Sequence, residues 1–243
     1  MIELNNITKS FSEKIVLEDV SIKIDDGECI AIIGKSGIGK SVLLKHIIGL
    51  MRPDSGEVKI DGYMINSLSF RKLQEIRSSI GMVFQFGALF DSMNVYKNIS
   101  LALEKFSELS SNAISEKVSE VLDSVGMAGS ELLMPSELSG GMKKRVGIAR
   151  AIALSPKYLL YDEPTTGLDP IMTGSINKLI KKIHKSGNIT SIMVTHELKT
   201  VYEVASRVVM IDEKKVVFDN KPSKLIDSDR HIVKQFIADN ENL

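Results

Sequence analysis

The chain has 243 residues and one cysteine, and its 31 lysines and arginines balance its 31 aspartates and glutamates. This length is enough for one large domain, or for a domain with an inserted lobe, to bury a core without disulfide bonds. The balanced charge gives no overall basic field for nucleic acid, and no apolar run approaches the ~20 residues of a membrane-spanning helix. We therefore expect a cytosolic protein without a nucleic-acid partner, whose membrane contact is made through another protein.

The start of the chain alternates between apolar and polar residues. Ile2 and Leu4, and then Val20, Ile22 and Ile24, fall on one face of their strands. Alternation of this kind is typical of half-exposed antiparallel strands. The chain therefore opens with a small antiparallel β subdomain.

From residue 29 the pattern changes. Short apolar runs now alternate with helix-length amphipathic segments, which indicates a parallel sheet covered by helices. The runs cover residues 30–33, 80–84, 158–161, 192–194 and 208–211. The one cysteine, Cys29, begins the first run, so we interpret it as a core residue and not as a metal or redox site.

A helical lobe interrupts the strand pattern between Gln85 and Pro156. Helical spacing recurs there in residues 95–105, 113–125 and 142–153. We predict a core of residues 1–85 and 157–243 with an inserted helical lobe at 86–156. After Pro222 the apolar spacing favours short amphipathic helices, and residues 239–243 are expected to fray.

A phosphate-binding motif follows the first buried run. Gly34–Ser41 matches G-x-x-x-x-G-K-[ST] and is followed by an amphipathic segment at 42–50. Glycines allow successive N–H groups to face phosphate oxygens, Lys40 supplies a cation, and Ser41 offers a hydroxyl to Mg²⁺. A glycine-rich turn with an exposed lysine is the alternative. The expected nucleotide contacts are Gly34, Lys35, Ser36, Gly37, Ile38, Gly39, Lys40, Ser41 and Val42.

Two carboxylates follow another buried run. Asp162 and Glu163 come directly after residues 158–161. Beside a phosphate loop, the first is placed to contact Mg²⁺ and the second to orient water, whereas a solvated strand end is the alternative. The pair therefore predicts nucleotide hydrolysis.

The sequence 138–142, Leu-Ser-Gly-Gly-Met, is similar to the signature of the ATP-binding-cassette (ABC) ATPases, and the resemblance covers nearly the whole chain. It implies an α/β fold, with a P-loop NTPase (RecA-like) core, an N-terminal antiparallel β subdomain and an inserted helical subdomain. Ser139, Gly140 and Gly141 would form a second phosphate-binding helix start. Met142 stands where the family usually has glutamine.

The resemblance also implies roles for single residues, with ATP and Mg²⁺ as ligands of a head-to-tail homodimer. Phe11 resembles the adenine-stacking aromatic, although it could instead close a hairpin; Gln85 resembles the glutamine that touches Mg²⁺ or water. Glu163 resembles the general base, Asp169 the aspartate that crosses the dimer interface, and His196 the switch histidine. The catalytic set is thus Lys40, Gln85, Glu163 and His196, and the magnesium set is Ser41, Gln85 and Asp162.

Within the family, several segments look like the ATPases of lipid transporters of the Mla or mammalian-cell-entry (Mce) type. They are residues 41–46, 85–93 and 161–171 together with the signature. This implies ABC permease subunits and an Mce-type lipid-binding protein as partners, and a peripheral location on the cytoplasmic face of the bacterial inner membrane. The alternatives are another ABC importer or exporter, or a soluble ABC ATPase.

Two segments have competing interpretations. Phe86, Leu89 and Phe90, next to Gln85, suit either an apolar partner helix or a buried connection between lobes. The basic run 143–145 is interpreted as a solvated face or interface contact in preference to a nucleic-acid patch.

Overall fold

The computed structural model of the protein describes residues 1–241, with side chains through residue 240. The chain forms two compact units, one of Met1–Glu75 with the segment from Thr190 onward, and the other of Ile76–Ile189. These bounds differ from the predicted lobes because residues 76–85 and 157–189 group with the helices of the second unit. The predicted division into a core and an inserted helical lobe, with boundaries at residues 86 and 156, stays a prediction.

The elements alternate as an α/β chain. The strands are β1 (Ile2–Phe11), β2 (Lys14–Ile24), β3 (Cys29–Ile33), β4 (Ser55–Ile60), β5 (Tyr63–Met64), β6 (Ile80–Val83), β7 (Tyr158–Asp162), β8 (Thr190–Thr195), β9 (Arg207–Asp212) and β10 (Lys215–Asn220). The helices are α1 (Lys40–Ile47), α2 (Phe70–Ser78), α3 (Val95–Phe106), α4 (Ser111–Ser124), α5 (Gly140–Ile152), α6 (Pro170–Gly187), α7 (Leu198–Val204) and α8 (His231–Glu241). Short 3-10 turns lie at Ile65–Ser67, Pro135–Glu137 and Pro222–Lys224.

The antiparallel β subdomain at the start of the chain is confirmed. In the first unit, β2, β1, β4 and β5 lie side by side in that order, and each neighbouring pair is antiparallel. Ile2 pairs with Ile24, and Leu4 pairs with Ile22. These side chains are buried, as the alternating pattern requires when one face of a sheet covers a core.

The buried run at 29–33 is the central strand of the first unit. β3 pairs in parallel with β8 on one side and with β9 on the other, and β10 adds an antiparallel edge to β9. All five residues of β3 are buried. Cys29 is therefore a core residue, as predicted, and burial, with a smaller contribution from the charge of Glu28, raises the pKa of its thiol to about 12.

The end of the described chain packs on this sheet. Val233 and Phe236 of α8 and Leu225 join a buried cluster with residues of β3, β9 and α7. The prediction of amphipathic helices after Pro222 is confirmed. The fraying expected at 239–243 falls partly on residues 242 and 243, which lie outside the described residues.

The second unit is a pair of strands covered by helices. β6 and β7 pair in parallel, with Val83 opposite Tyr161. Helix α5 packs closely on β6 at Gly81, where a Cβ atom would overlap the carbonyl oxygen of Ala151 and lie 2.7 Å from Cδ1 of Leu159. The three predicted helices of residues 86–156 are α3, α4 and α5, and each is capped by a side chain, from Asn94, Ser110 and Ser139 respectively.

Among the described residues, no helix is both long enough and apolar enough to cross a membrane.

Candidate functional site

The phosphate loop lies in the first unit, between the buried strand β3 and helix α1. Gly34, Gly37 and Gly39 all have positive φ angles, of 151°, 78° and 103°. A Cβ atom at Gly34 would overlap the carbonyl oxygen of Ile211, so only glycine fits both the angle and the space. Gly39 is the N-cap of α1, and as a glycine it contributes no side-chain cap. The start of a helix after a glycine-rich loop is a common phosphate-binding position.

The side chain of Lys40 folds back into this loop. Although it is a lysine, it is only 5% exposed, and its ammonium donates to the carbonyl oxygens of Gly34 at 2.7 Å and of Lys35 at 3.1 Å. Residues 35–37 are exposed, and Ser41 and Val42 in the first turn of α1 are half-buried. The ammonium therefore sits inside an open curve of backbone, the arrangement that binds phosphate.

The predicted stacking residue Phe11 lies at the end of β1, opposite Lys14 at the tip of the first hairpin. Its side chain is 44% exposed, and the ammonium of Lys9 lies 5.6 Å from its ring centroid. Lys9 is itself held by Asp54 at 2.5 Å. Both predicted roles, closing the hairpin and stacking on a base, are compatible with this position.

His196 follows β8 at the sheet edge where the phosphate loop begins. The parallel register places Thr195 opposite Ile33, so His196 and Gly34 are the next residues of adjacent strands. The carboxyl ends of parallel strands are where ligands bind in α/β sheets. The first unit thus brings His196 beside the phosphate loop.

Gln85 and Glu163 meet in the second unit. Each comes two residues after a paired position, because Val83 lies opposite Tyr161. The Nζ atom of Lys144 donates to the main-chain oxygens of both, to Glu163 at 3.1 Å. The hydroxyl of Thr166 donates to Oε2 of Glu163 at 2.9 Å, which fixes the direction of the carboxylate. Asp162, the last residue of β7, is half-buried.

The signature residues begin helix α5. Ser139 is the N-cap, and its Oγ accepts from the main-chain N–H of Met142 at 3.3 Å. Gly141 is in contact with the end of the Met172 side chain, which occupies the space of a Cβ atom. Asp169 caps α6 by accepting from two main-chain N–H groups, each at 2.9 Å. Contact with Met172 therefore places the signature beside the start of α6.

The interpretation of residues 143–145 as a solvated face or an interface contact is wrong for Lys144, and it stays a prediction for Lys143 and Arg145, which are half-buried. Lys144 is 5% exposed and bonds to the two carbonyls described above. Arg145 donates to the main-chain oxygen of Val125 and, at 2.7 Å, to Oγ of Ser175. The side chains of Lys144 and Arg145 donate to oxygen atoms within the unit, and these hydrogen bonds offset the cost of removing their charges from water.

The segment after Gln85 is not a buried connection. Phe86 is 78% exposed and Phe90 is 50% exposed. Phe90 lines a cavity of about 450 Å³, mostly apolar, with two cations, Lys105 and Arg150, in its wall. Arg150 donates to the carbonyl oxygens of Gly87 at 2.9 Å and Ala88 at 2.7 Å.

Sequence reasoning missed three residues of this site: Lys144, Arg150 and Thr166. Lysine and arginine on a helix are usually solvated, and their burial depends on loops distant in the sequence. Thr166 stands three residues after Glu163, a spacing at which a side chain can return to the preceding turn, so a local signal for it existed.

Comparison with known proteins agrees with this geometry. The model of the family described as ABC transporter matches residues 17–166. The intermembrane phospholipid transport system ATP-binding protein MlaF of Haemophilus influenzae is 40% identical over 237 residues, covering 98% of this chain and 90% of that protein. The methionine import ATP-binding protein MetN of Carboxydothermus hydrogenoformans is 44% identical over 222 residues, covering 91% of this chain but only 66% of that protein.

A solved structure has the same fold. It is the dimer of an ATP-binding cassette in a post-hydrolysis state with ADP and Pi, with 33% identity, a TM-score of 0.84, and coverage of 91% of this chain and 99% of that one. The predicted fold, with its P-loop core, is confirmed. The chain therefore belongs to the ABC transporter family and is an ATP-hydrolysing, nucleotide-binding subunit.

Proposed function

We propose that this subunit powers a transporter that moves phospholipid, or another lipid, between bacterial membranes. The observation that carries this proposal is the match to the H. influenzae phospholipid transport protein, which spans 98% of this chain and 90% of the relative. The alternative is the ATPase of another importer or exporter, since the methionine importer is 44% identical. A soluble ABC ATPase without a permease is a more distant alternative.

ATP binding begins at the phosphate loop. The N–H groups at the start of α1 and the ammonium of Lys40 face the phosphates, and Phe11 offers a ring face to the adenine. His196, next to the loop, is placed to contact the terminal phosphate. These contacts orient the phosphate that is to be transferred.

The oxygen donors proposed for Mg²⁺ are hard ligands of the kind that this ion prefers. The Ser41 hydroxyl belongs to the first unit, at the first turn of α1, and the side chains of Gln85 and Asp162, which would complete the set, belong to the second. When bound, Mg²⁺ neutralises charge on the phosphate oxygens.

Glu163 acts as general base. The hydroxyl of Thr166 donates to its carboxylate and directs it. The backbone φ of Glu163 is 49°, in the left-handed region, so the chain leaves the extended conformation of β7 at this residue. A carboxylate fixed in this way orients water toward the terminal phosphate and takes its proton. Lys40 stabilises the developing negative charge.

The base assignment predicts the behaviour of Glu163→Gln. The amide keeps the size and the Thr166 contact but cannot accept a proton, so the variant should bind Mg-ATP normally while kcat falls about 100-fold or more. Steady-state hydrolysis and a nucleotide titration measure the two quantities. A Glu163→Gln protein with wild-type kcat would show that another group is the base.

We propose that a permease helix docks in the cavity that Phe90 lines. Apolar walls suit the apolar face of such a helix. Lys105 and Arg150 form no ion pair with a carboxylate in the described part of the chain, so they favour a partner helix that carries an acidic residue. An Mce-type lipid-binding protein would belong to the same membrane complex. This ATPase subunit would lie peripherally at the cytoplasmic face of the bacterial inner membrane.

The transport proposal is tested by affinity purification from detergent-solubilised native membranes, with mass spectrometry of proteins and lipids. A multi-spanning permease, an Mce-type protein and phospholipid should be recovered together. Lys105→Glu, at the cavity, should reduce recovery about tenfold or more, whereas Lys185→Glu, on the exposed face of α6, should not. Ribosomal or repair proteins without a permease, or a permease with a different substrate protein, would overturn the lipid assignment.

A further inference from the structure

Helix α5 carries a buried lysine that the ATPase cycle described above does not use. Lys144 lies in the second turn of α5, two residues after the signature, and is 5% exposed. A buried ammonium has three donors and no acceptor function, so it is stable only where oxygen atoms surround it. Here it donates to the main-chain oxygens of Gln85 and Glu163. One cation therefore joins the two loops that follow β6 and β7.

The hydrogen bond from Lys144 to the Glu163 carbonyl acts on a residue with an unusual backbone conformation. Its φ of 49° lies in the left-handed region, which residues with a side chain rarely adopt. Such a conformation persists only where the surroundings determine it, and it sets where both the carbonyl and the carboxylate point. Lys144 bonds to this carbonyl at 3.1 Å, and the N–H of Thr166 approaches it at 3.4 Å.

The same helix repeats the arrangement at the Gln85 loop. Gly87 and Ala88 also have left-handed φ angles, of 74° and 47°. Their carbonyl oxygens accept from Arg150, at 2.9 and 2.7 Å. Lys144 and Arg150 stand six residues apart, and each satisfies carbonyls of residues that follow a strand of the unit. The cations of α5 thus hold the backbone of both loops.

We propose that Lys144 is a positioning residue: its ammonium locks the carbonyls of Gln85 and Glu163 together and so fixes the direction of the Glu163 carboxylate during ATP hydrolysis. The inference rests on the proposed role of Glu163 as the base. Because Lys144 acts through Glu163, its loss lowers the rate of hydrolysis and leaves ATP binding at the phosphate loop unchanged.

The test compares Lys144→Met, which keeps the volume but has no N–H donor, with Lys144→Arg, which keeps charged donors. Lys143→Met is the matched control, because Lys143 is the adjacent residue of the same helix and its side chain makes no hydrogen bond or ion pair in the described part of the chain. Each change is made in the full chain, alone and together with Glu163→Gln. Thermal unfolding is recorded for every variant, and kcat and KM are measured well below the lowest midpoint.

Lys144→Met should lower kcat by roughly 10- to 100-fold and change KM by less than about threefold, since a small displacement of a catalytic group costs this much. Lys144→Arg should recover most of kcat, and Lys143→Met should match the wild type. With Glu163→Gln already present, Lys144→Met should lower the residual rate by no more than about twofold, because residues that act as one unit are not additive.

Three outcomes would overturn the inference: wild-type kcat in Lys144→Met, a Lys144→Arg protein as slow as Lys144→Met, or an equal loss of rate in the presence and absence of Glu163→Gln. If Lys144→Met does not fold, Lys144→Gln replaces it, and wild-type kcat in that variant counts against the inference. The assignment of Glu163 as the base is tested separately, because wild-type kcat in the Glu163→Gln protein alone would overturn that assignment.

Discussion

At the residue scale, His46 shows how a polar side chain is accommodated in the core. It lies in α1 and is 1% exposed, with Nδ1 2.9 Å from the main-chain oxygen of Met51. Nε2 is buried and has no hydrogen-bond partner among the described residues. Burial lowers the pKa of His46, with a further lowering from Lys9 that the Met51 carbonyl and Asp54 oppose. The folded protein therefore favours the neutral imidazole more than the unfolded chain does.

This burial predicts acid sensitivity. Because the folded pKa lies below the unfolded one, the unfolded chain binds the proton first as the pH falls. The free energy of unfolding should then decrease as the pH drops below the ordinary histidine pKa, and it should do so until the folded pKa is reached. His46→Asn keeps a donor for Met51 but does not titrate, so its loss of stability between neutral and mildly acidic pH should be smaller. Urea unfolding at several pH values measures this, and identical pH slopes for the two proteins would contradict it.

At the element scale, the close packing of α5 on β6 depends on Gly81. The side of Gly81 that would carry a Cβ atom faces the carbonyl oxygen of Ala151 and Cδ1 of Leu159. Backbone atoms of a helix cannot move by the required distance without shifting the helix itself. Since α5 carries the signature and Lys144, this contact also positions part of the site.

Gly81→Ala should therefore lower the free energy of unfolding by roughly 1–3 kcal/mol. Gly174→Ala is the matched control: Gly174 lies inside α6, and a Cβ atom there would have no neighbour within 4 Å. Alanine is the better helix former, so the control should gain about 0.5–1 kcal/mol. Denaturant unfolding of both variants decides the matter, and a Gly81→Ala protein as stable as the wild type would show that α5 can retreat from β6.

Sequence patterns predicted the elements whose signal is local. The apolar run 29–33 and the capped helices α3, α4 and α5 were foreseeable because burial and capping follow from nearby residues. Helix α5 begins at Gly140, two residues before the start at residue 142 that the apolar spacing predicted, because Ser139 is its N-cap. β10 was missed, since it is an edge strand without fully buried residues, held by pairing with β9 and by the ion pair of Asp219 with Arg207 at 2.6 Å.

The site was foreseeable to the extent that its motifs are contiguous. The phosphate loop could be predicted from Gly34, Lys40 and Ser41, because their spacing along the chain fixes their geometry. The role of Lys144 could not be predicted from spacing. Its partners, Gln85 and Glu163, are 59 and 19 residues away, and only packing brings them to its ammonium.

At the scale of the whole molecule, the phosphate-binding groups are divided between the two compact units. The phosphate loop belongs to the first, and the signature at the start of α5 belongs to the second. ABC ATPases dimerise, and a related cassette is a dimer with ADP and Pi. We expect a head-to-tail dimer, in which the phosphate loop of one subunit and Ser139 of the other enclose one ATP.

A mixed dimer tests this arrangement. Lys40→Ala removes the ammonium of the phosphate loop, and Ser139→Arg blocks the signature, so each homodimer should lose about 100-fold or more of kcat. When the two proteins are mixed in equal amounts, a head-to-tail dimer places both lesions in one site and leaves the other site intact. ATP hydrolysis should then recover to roughly a tenth or more of the wild-type rate, which steady-state assays detect readily above either variant alone. If each subunit instead completed its own site, every site in the mixture would carry a lesion, and mixing would restore nothing.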